Sequence, residues 1–297
     1  MELENRVAIV TGAGGGLGRC HALLLAQLGA RVVVNDMNGE NADRVAAEIV
    51  AAGGEAVGVA ASVTDETAVA AMVADTLARW GRIDILVNNA GILRDKSFAK
   101  MDLADFRLVV EVHLMGAAIC TKAVWDTMRA QGYGRIVMTT SSSGLYGNFG
   151  QANYGAAKLA LVGLMQTLAI EGDRYGIRVN CLAPTAATQM TSGILAGEAL
   201  ARLAPDLVSP GLLALVGADA PSRAILCAGA GHFAVANVTL TEGAQIGGTG
   251  PDAARRVAAA WDTISDRSGE VVPAYGFFQA ERELAGAGVA IPATAAR

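Results

Sequence analysis

Apolar runs along the chain come in two alternating kinds. Short runs rich in Val and Ile, polar or Gly on either side, fall at Arg6–Thr11 (RVAIVT), Arg31–Val34 (RVVV), Ala56–Ala60, Ile83–Val87 (IDILV), Gly134–Thr140 (GRIVMTT) and Ile177–Ala183 (IRVNCLA). Continuous apolarity over so few residues predicts strands buried on both faces, as in a parallel sheet. Between them lie longer stretches with helical spacing: Leu17–Leu28, Asn41–Ala52, Glu66–Trp80, Asp102–Arg129 as one long helix or two in succession, and Gln151–Tyr175. Strand and helix alternate, so the expected fold is α/β, a doubly wound parallel sheet with helices on both faces. Pro184 closes the sixth strand in this reading, and His232–Val238 reads as the last strand.

The two ends of this pattern differ. A Rossmann-type domain is expected over residues 1–249, with an Ala/Leu/Met-rich segment at about 185–210 where a substrate lid would lie. Residues 250–297 read as a C-terminal extension, amphipathic over Pro251–Ile264 and then rich in Ala, Gly and Pro. No internal repeat is visible.

Composition narrows the class. Hydrophobic residues make up 53%, charged residues 17%, and there are 36 glycines, the balance of a compact globular chain with a large core. Apolar stretches are expected to break at a charge or glycine before the length of a membrane span, and MELENRVAIVTG does not resemble a secretory leader. A cytoplasmic protein is the expectation. The formal net charge of −5 without a basic block argues against nucleic acid as a partner. Cys20, Cys120, Cys181 and Cys227 lie far apart with no CxxC, so buried free thiols are expected rather than a metal site or disulfides.

Candidate chemistry gathers where strands end. After the first strand, Thr11–Gly18 (TGAGGGLG) leads straight into a helix. Residues without Cβ let the backbone turn sharply and approach a pyrophosphate, while the helix N-terminus offers amide donors. Gly12, Gly16 and Gly18 follow G-x-x-x-G-x-G, and Gly14 and Gly15 add further freedom. The second strand ends at Asp36, whose carboxylate would accept from adenosine ribose hydroxyls and repel a 2′-phosphate. With no Arg or Lys in Met37–Asn38–Gly39, that predicts NAD over NADP; a helix cap is the other use of Asp36. Asn88-Asn89-Ala90-Gly91 follows the fourth strand, where such a ligand would lie, although Asn amides could equally tie loops together.

The fifth strand delivers Ser141–Ser143, and the next helix carries Tyr154 and Lys158 at i and i+4, on one face. A tyrosine titrates near about 10 unless a neighbour shifts it, and Lys158 can supply a positive charge. YxxxK is also a common pair on a solvated helix face.

Taken together, these motifs resemble the short-chain dehydrogenase/reductase family over roughly Leu3–Gly247. The resemblance implies a Ser, Tyr, Lys set of Ser141, Tyr154 and Lys158, the serine thirteen positions before the tyrosine. Tyr154 would be the acid/base, Lys158 would lower its pKa and hold the nicotinamide ribose, and Ser141 would bind the substrate oxygen. It further implies cofactor contacts from Gly12, Gly14, Gly16, Leu17, Gly18, Asp36, Ser62, Val63, Asn89, Ala90, Gly91, Pro184 and Thr188. His113 stands where many members carry an asparagine, Ser62 where an acid is common, and Pro184-Thr185 where Pro-Gly is familiar. His21 and His232 read as structural.

The strings NNAGILRDKSFAKM and GLYGNFGQANYGAAK are similar to the (3R)-hydroxyacyl-CoA dehydrogenases within that family. That likeness implies a 3-hydroxyacyl-CoA substrate, with a hydroxysteroid or 3-oxoacyl thioester as alternatives, and a homodimer or homotetramer paired through the two long helices. A non-catalytic nucleotide sensor or scaffold would be expected to lack Tyr154 or Lys158, and both are present.

Overall fold

The computed structural model describes residues 2–186 and 202–289. Contacts divide the chain into two compact units, Met1–Ala236 and Asn237–Arg297.

The first unit is built on one eight-stranded sheet in the order β3-β2-β1-β4-β5-β6-β7-β8. Its strands are β1 (Val7–Val10), β2 (Arg31–Asp36), β3 (Glu55–Ala60), β4 (Ile85–Asn88), β5 (Gly134–Thr139), β6 (Ile177–Thr185), β7 (Ile225–Gly229) and β8 (His232–Ala236). All neighbours pair in parallel except β7 and β8. Alternate residues of each strand feed separate cores, as the period of two requires. Ala8, Val10, Val32 and Val34 face a layer formed by α1 (Gly16–Gln27), α2 (Gly39–Ala51) and the helix Pro210–Val216. Ile9, Val33 and Leu86 face the other, formed by α3 (Glu66–Trp80), the long central helix and α7 (Ala152–Asp173). Both faces are covered over β1, β2, β4, β5 and β6, which is why those strands read as unbroken apolar runs, whereas β3 is only half-buried and β8 is exposed.

The central helix runs as α4 (Leu103–Val110), one π-helical turn (Glu111–Met115) and α5 (Gly116–Gln131). One continuous element thus takes the place of the two-way expectation. Among the described residues it alone has the length and hydropathy to cross a membrane, its most apolar 18 residues having a mean hydropathy of 1.5, although Arg107, Glu111, Gly116 and Lys122 interrupt its apolar run. Its Val109, His113, Ala117, Cys120, Val124 and Met128 are nevertheless buried in the protein, the stripe that a core helix presents.

Three further departures from the sequence pattern concern the sheet's far edge. The apolar pattern does not predict β7, whose ILCAG has one β-branched residue and ends in glycine. The expected last strand is β8, an antiparallel partner folded back on β7 through Ala230 and Gly231, both at positive φ. β6 does not stop at Pro184 but pairs Pro184 with Ala228 and Thr185 with Gly229. β5 has already ended opposite Leu182, so beyond that residue one side of β6 has no ladder bond for a proline to remove.

Of the thiols, Cys120 and Cys181 are buried and Cys20 and Cys227 half-buried, all four free. Among the described residues the second unit holds the helices Gly250–Ala259, Trp261–Ile264 and Phe278–Gly286 and an antiparallel bridge between Leu240 and Val271. It therefore begins ahead of the segment 250–297 and takes in residues 237–249 as well.

Candidate active site

β5 ends at Thr139, and its continuation caps a short helix, α6 (Ser142–Tyr146), through Ser141, whose Oγ accepts from the Ser143 amide at 3.2 Å. α6 packs close on α7: a Cβ on Gly144 would stand 2.8 Å from the Leu159 amide nitrogen. Two bonds lock α7 to the strand end. Thr140 Oγ1 donates to the Lys158 carbonyl at 2.6 Å, and Lys158 Nζ donates to the Thr139 carbonyl at 2.6 Å. Ser141, Tyr154 and Lys158 are thereby brought to one spot, with Lys158 Nζ 5.4 Å from the centroid of the Tyr154 ring.

Burial dominates the electrostatics here. It pushes the Tyr154 phenol above its usual value, a hydrogen bond with Ser141 lowers it, and Asp95 raises it. Burial likewise pushes the Lys158 ammonium down to about 7.

His113 sits on the π-helical turn, a local widening that often marks functional positions. Its ring meets Tyr154 edge to face, centroids 5.2 Å apart at 84°. Nε2 lies 2.8 Å from the Ile92 carbonyl and 3.1 Å from the Ile92 amide, so it bonds the loop after β4 in either tautomer. Nδ1 is buried without a partner. Burial first, then the positive charge of Lys158, pushes the imidazole down to about 3, so the ring is neutral at working pH. Gly91 is required beside it, because any Cβ there would run into the ring.

The glycine loop between β1 and α1 fits a dinucleotide. Gly12 and Gly16 have φ of 61° and 49°, in the left-handed region. A Cβ on Gly12 would stand 2.8 Å from Ala90 Cα, one on Gly14 2.8 Å from Asp36 Oδ2, and one on Gly18 would collide with the Gly12 carbonyl. Gly15 by contrast faces open space. α1 receives no side-chain cap, whereas Asn38, Asp65 and Asp102 cap α2, α3 and α4. Its first-turn amides are left to an anion, and Leu17 in that turn is buried beneath them.

Asn89 proves to be the loop tie that its sequence allowed: its Nδ2 donates to the Thr11 and Gly12 carbonyls at 3.0 and 3.1 Å. Thr11 Oγ1 in return accepts from the Asn89 and Ala90 amides at 3.0 and 3.1 Å. Asp36 does not cap α2, a task that falls to Asn38. Its Oδ2 accepts from the Gly14 amide at 3.0 Å and its Oδ1 from the Asn38 amide at 2.9 Å. The remaining lone pairs are left for hydroxyl donors. Val63 packs on Gly116 and lines the crevice shared by Thr11, Asn88, Ala90, His113 and Lys158, while Ser62 Oγ bonds Thr64 Oγ1 at 2.9 Å. Pro184 is at the carboxyl end of β6; Thr188 and most of the expected lid at 185–210 lie outside the described residues.

Spacing along the chain does not reveal two groups at this site. Arg44, eight positions beyond Asp36, donates to the Gly14 carbonyl at 2.8 Å, and Glu48 binds it together with Arg19. Arg44 and Glu48 do stand at i and i+4 on α2, but nothing in that spacing shows that α2 lies along the glycine loop. His21 is buried on α1 with Nδ1 2.9 Å from Ser209 Oγ, in keeping with a structural role, and His232 is exposed at the start of β8. No cluster of three metal-ligating side chains occurs among the described residues.

A doubly wound sheet, a glycine cradle at its switch point and a Ser, Tyr, Lys set define a nucleotide-dependent oxidoreductase, and the family described as short chain dehydrogenase matches residues 6–199. The chain belongs to that family. A short-chain type dehydrogenase/reductase of Mycobacterium tuberculosis is 44% identical over 92% of this chain and 98% of its own length. Peroxisomal multifunctional enzyme type 2 of Drosophila melanogaster is 50% identical over 71% of this chain but only 36% of its own. The solved full-length structure of that fly enzyme superposes with a TM-score of 0.82 at 37% identity, covering 97% of this chain and 50% of the other. A 7α-hydroxysteroid dehydrogenase solved with NADH and 7-oxo glycochenodeoxycholic acid gives 0.72 at 31% identity, over 77% of this chain and 95% of that one.

Proposed function

We propose that this oxidoreductase uses NAD to interconvert (3R)-3-hydroxyacyl-CoA and 3-oxoacyl-CoA. The observation that carries the reading is the convergence of Ser141, Tyr154 and Lys158 beside a glycine cradle whose open edge is bordered by Asp36. The thioester is preferred among secondary alcohols on the resemblance to the (3R)-hydroxyacyl-CoA dehydrogenases, which the similarity to the multifunctional enzyme supports. A hydroxysteroid is the second reading, favoured by the likeness to the 7α-hydroxysteroid dehydrogenase.

Gly12, Gly14, Gly18 and the free amides of α1 would hold the pyrophosphate, and Asp36 the adenosine ribose. The nicotinamide supplies the hydride acceptor when bound. In oxidation, Ser141 Oγ holds the substrate hydroxyl and Tyr154 Oη takes its proton as the C–H bond gives up a hydride. Tyr154 can take that proton only after losing its own, and Ser141 stabilises the resulting phenolate through their shared bond; in reduction the neutral phenol donates the proton instead. His113, neutral and packed edge-on, holds the ring of Tyr154 in place and takes no part in the proton transfer.

The test follows nicotinamide absorbance with purified chain and a panel of (3R)- and (3S)-hydroxyacyl-CoA and a hydroxysteroid, each with NAD or NADP. Turnover of the (3R) thioester with NAD is expected. Turnover of the steroid alone removes the substrate assignment and leaves the residue roles; binding of NADH without any turnover removes the catalytic reading in favour of a nucleotide sensor.

A further inference from the structure

Beyond Asp36, three more charges meet at the ribose end of the glycine cradle. Arg19 on α1 and Arg44 on α2 flank Glu48, Arg19 Nε donating to Oε2 at 2.8 Å and Arg44 Nη1 to Oε1 at 2.9 Å. The second Nη of Arg44 donates to the Gly14 carbonyl at 2.8 Å, while the amide of that same glycine donates to Asp36 at 3.0 Å. One glycine therefore separates a guanidinium from the carboxylate expected to meet the ribose. The guanidinium side chains are 37% and 51% exposed, free to turn toward a new anion once released.

We propose that Glu48 is a second specificity-determining residue for the nucleotide: it occupies Arg19 and Arg44 and so denies a 2′-phosphate the two cations standing beside its site. Asp36 repels that phosphate, and Glu48 cancels what would attract it. The proposal rests on the NAD reading above. Without Glu48, two planar guanidiniums remain within reach of the loop, the donor geometry best matched to a phosphate. The ribose hydroxyls of NAD carry no charge and gain nothing from the change.

Direct binding separates these outcomes. NADH and NADPH are titrated by fluorescence into the full chain and into Asp36→Asn, Glu48→Gln, the double variant, and the double variant with Arg44→Met. Adding Glu48→Gln to Asp36→Asn is expected to tighten NADPH by at least about tenfold and to alter NADH by less than about twofold. The gain should shrink as salt is raised and vanish with Arg44→Met. Circular dichroism and the thermal midpoint serve as the check that each variant is folded. A double variant that holds NADH but binds NADPH no better than Asp36→Asn overturns the role of Glu48 alone, as does an equal change for both nucleotides. A wild-type chain that prefers NADPH, or binds neither, overturns the NAD reading and this inference with it.

Discussion

Lys158 and His113 are buried against their own charge, and the pH dependence of stability should show it. A lysine titrates near about 10.4 in an unfolded chain, and Lys158 near 7 in the fold. Between those values the unfolded state binds the extra proton, so stability contributed by this group is present above the upper value and lost as pH falls toward 7. Lys158→Met should flatten that slope, read as denaturation midpoints from pH 7 to 10; an unchanged slope would show the lysine charged in the fold. His113 acts likewise lower down, its contribution being lost between about 6.5 and 3 as the unfolded imidazole protonates first. Tyr154 raises a kinetic expectation instead. Tyr154→Phe should cut kcat at least about a hundredfold, the lower range for a lost general acid/base, with NADH affinity within a few-fold; retained turnover in stopped-flow assays would remove Tyr154 from the chemistry.

At the scale of elements, the carboxyl ends of β1 and β4 behave as one structure. Four bonds join Thr11 and Gly12 to Asn89 and Ala90 across them, two of them between Asn89 and Thr11, so Asn89→Ala leaves two loop carbonyls short of their donor. A loss of about 1–3 kcal/mol is expected, measured by chemical denaturation, together with weaker NADH binding because the glycine loop loses its brace. An unaltered nucleotide affinity would mean that the loop is shaped by its glycines alone. Gly91→Ala probes the other side of β4. Its new methyl must displace His113, at an overpacking cost of about 1–3 kcal/mol, and His113→Ala in the same chain should recover most of the lost stability by emptying that space. No recovery in the double variant would show that the clash is not with the ring.

For the molecule as a whole, the two longest helices of the sheet unit leave apolar side chains uncovered. Leu108 and Met115 on the central helix and Leu159 and Ile170 on α7 are all exposed, on the elements through which the family resemblance implies pairing. A homodimer or homotetramer is the expected solution state, with Leu108→Asp plus Ile170→Asp shifting it toward monomer in light-scattering mass measurements. A wild-type monomer at micromolar concentration would assign those side chains to some other contact. The same scale decides how the charged groups are used. Arg44 reaches Gly14 because α2 runs back alongside the loop that precedes α1, a consequence of β2 pairing beside β1.

Local pattern was enough for β1 to β6 and for the helices between them, because strands buried on both faces must be apolar throughout and the glycine loop and the Tyr154, Lys158 spacing depend only on neighbours in the chain. The edge of the sheet was not readable in the same way: β7 has a weak strand composition and acquires its conformation by pairing with β6. Nor were the charges. A tyrosine and a lysine one helical turn apart suggest a lysine that lowers the tyrosine, but not that the packing of α7 against β5 desolvates both and gives Nζ a carbonyl. Residue order and spacing dictate which side chains share a face; how much water each loses, and which distant group becomes its partner, depends on elements that meet only after the sheet has closed around them.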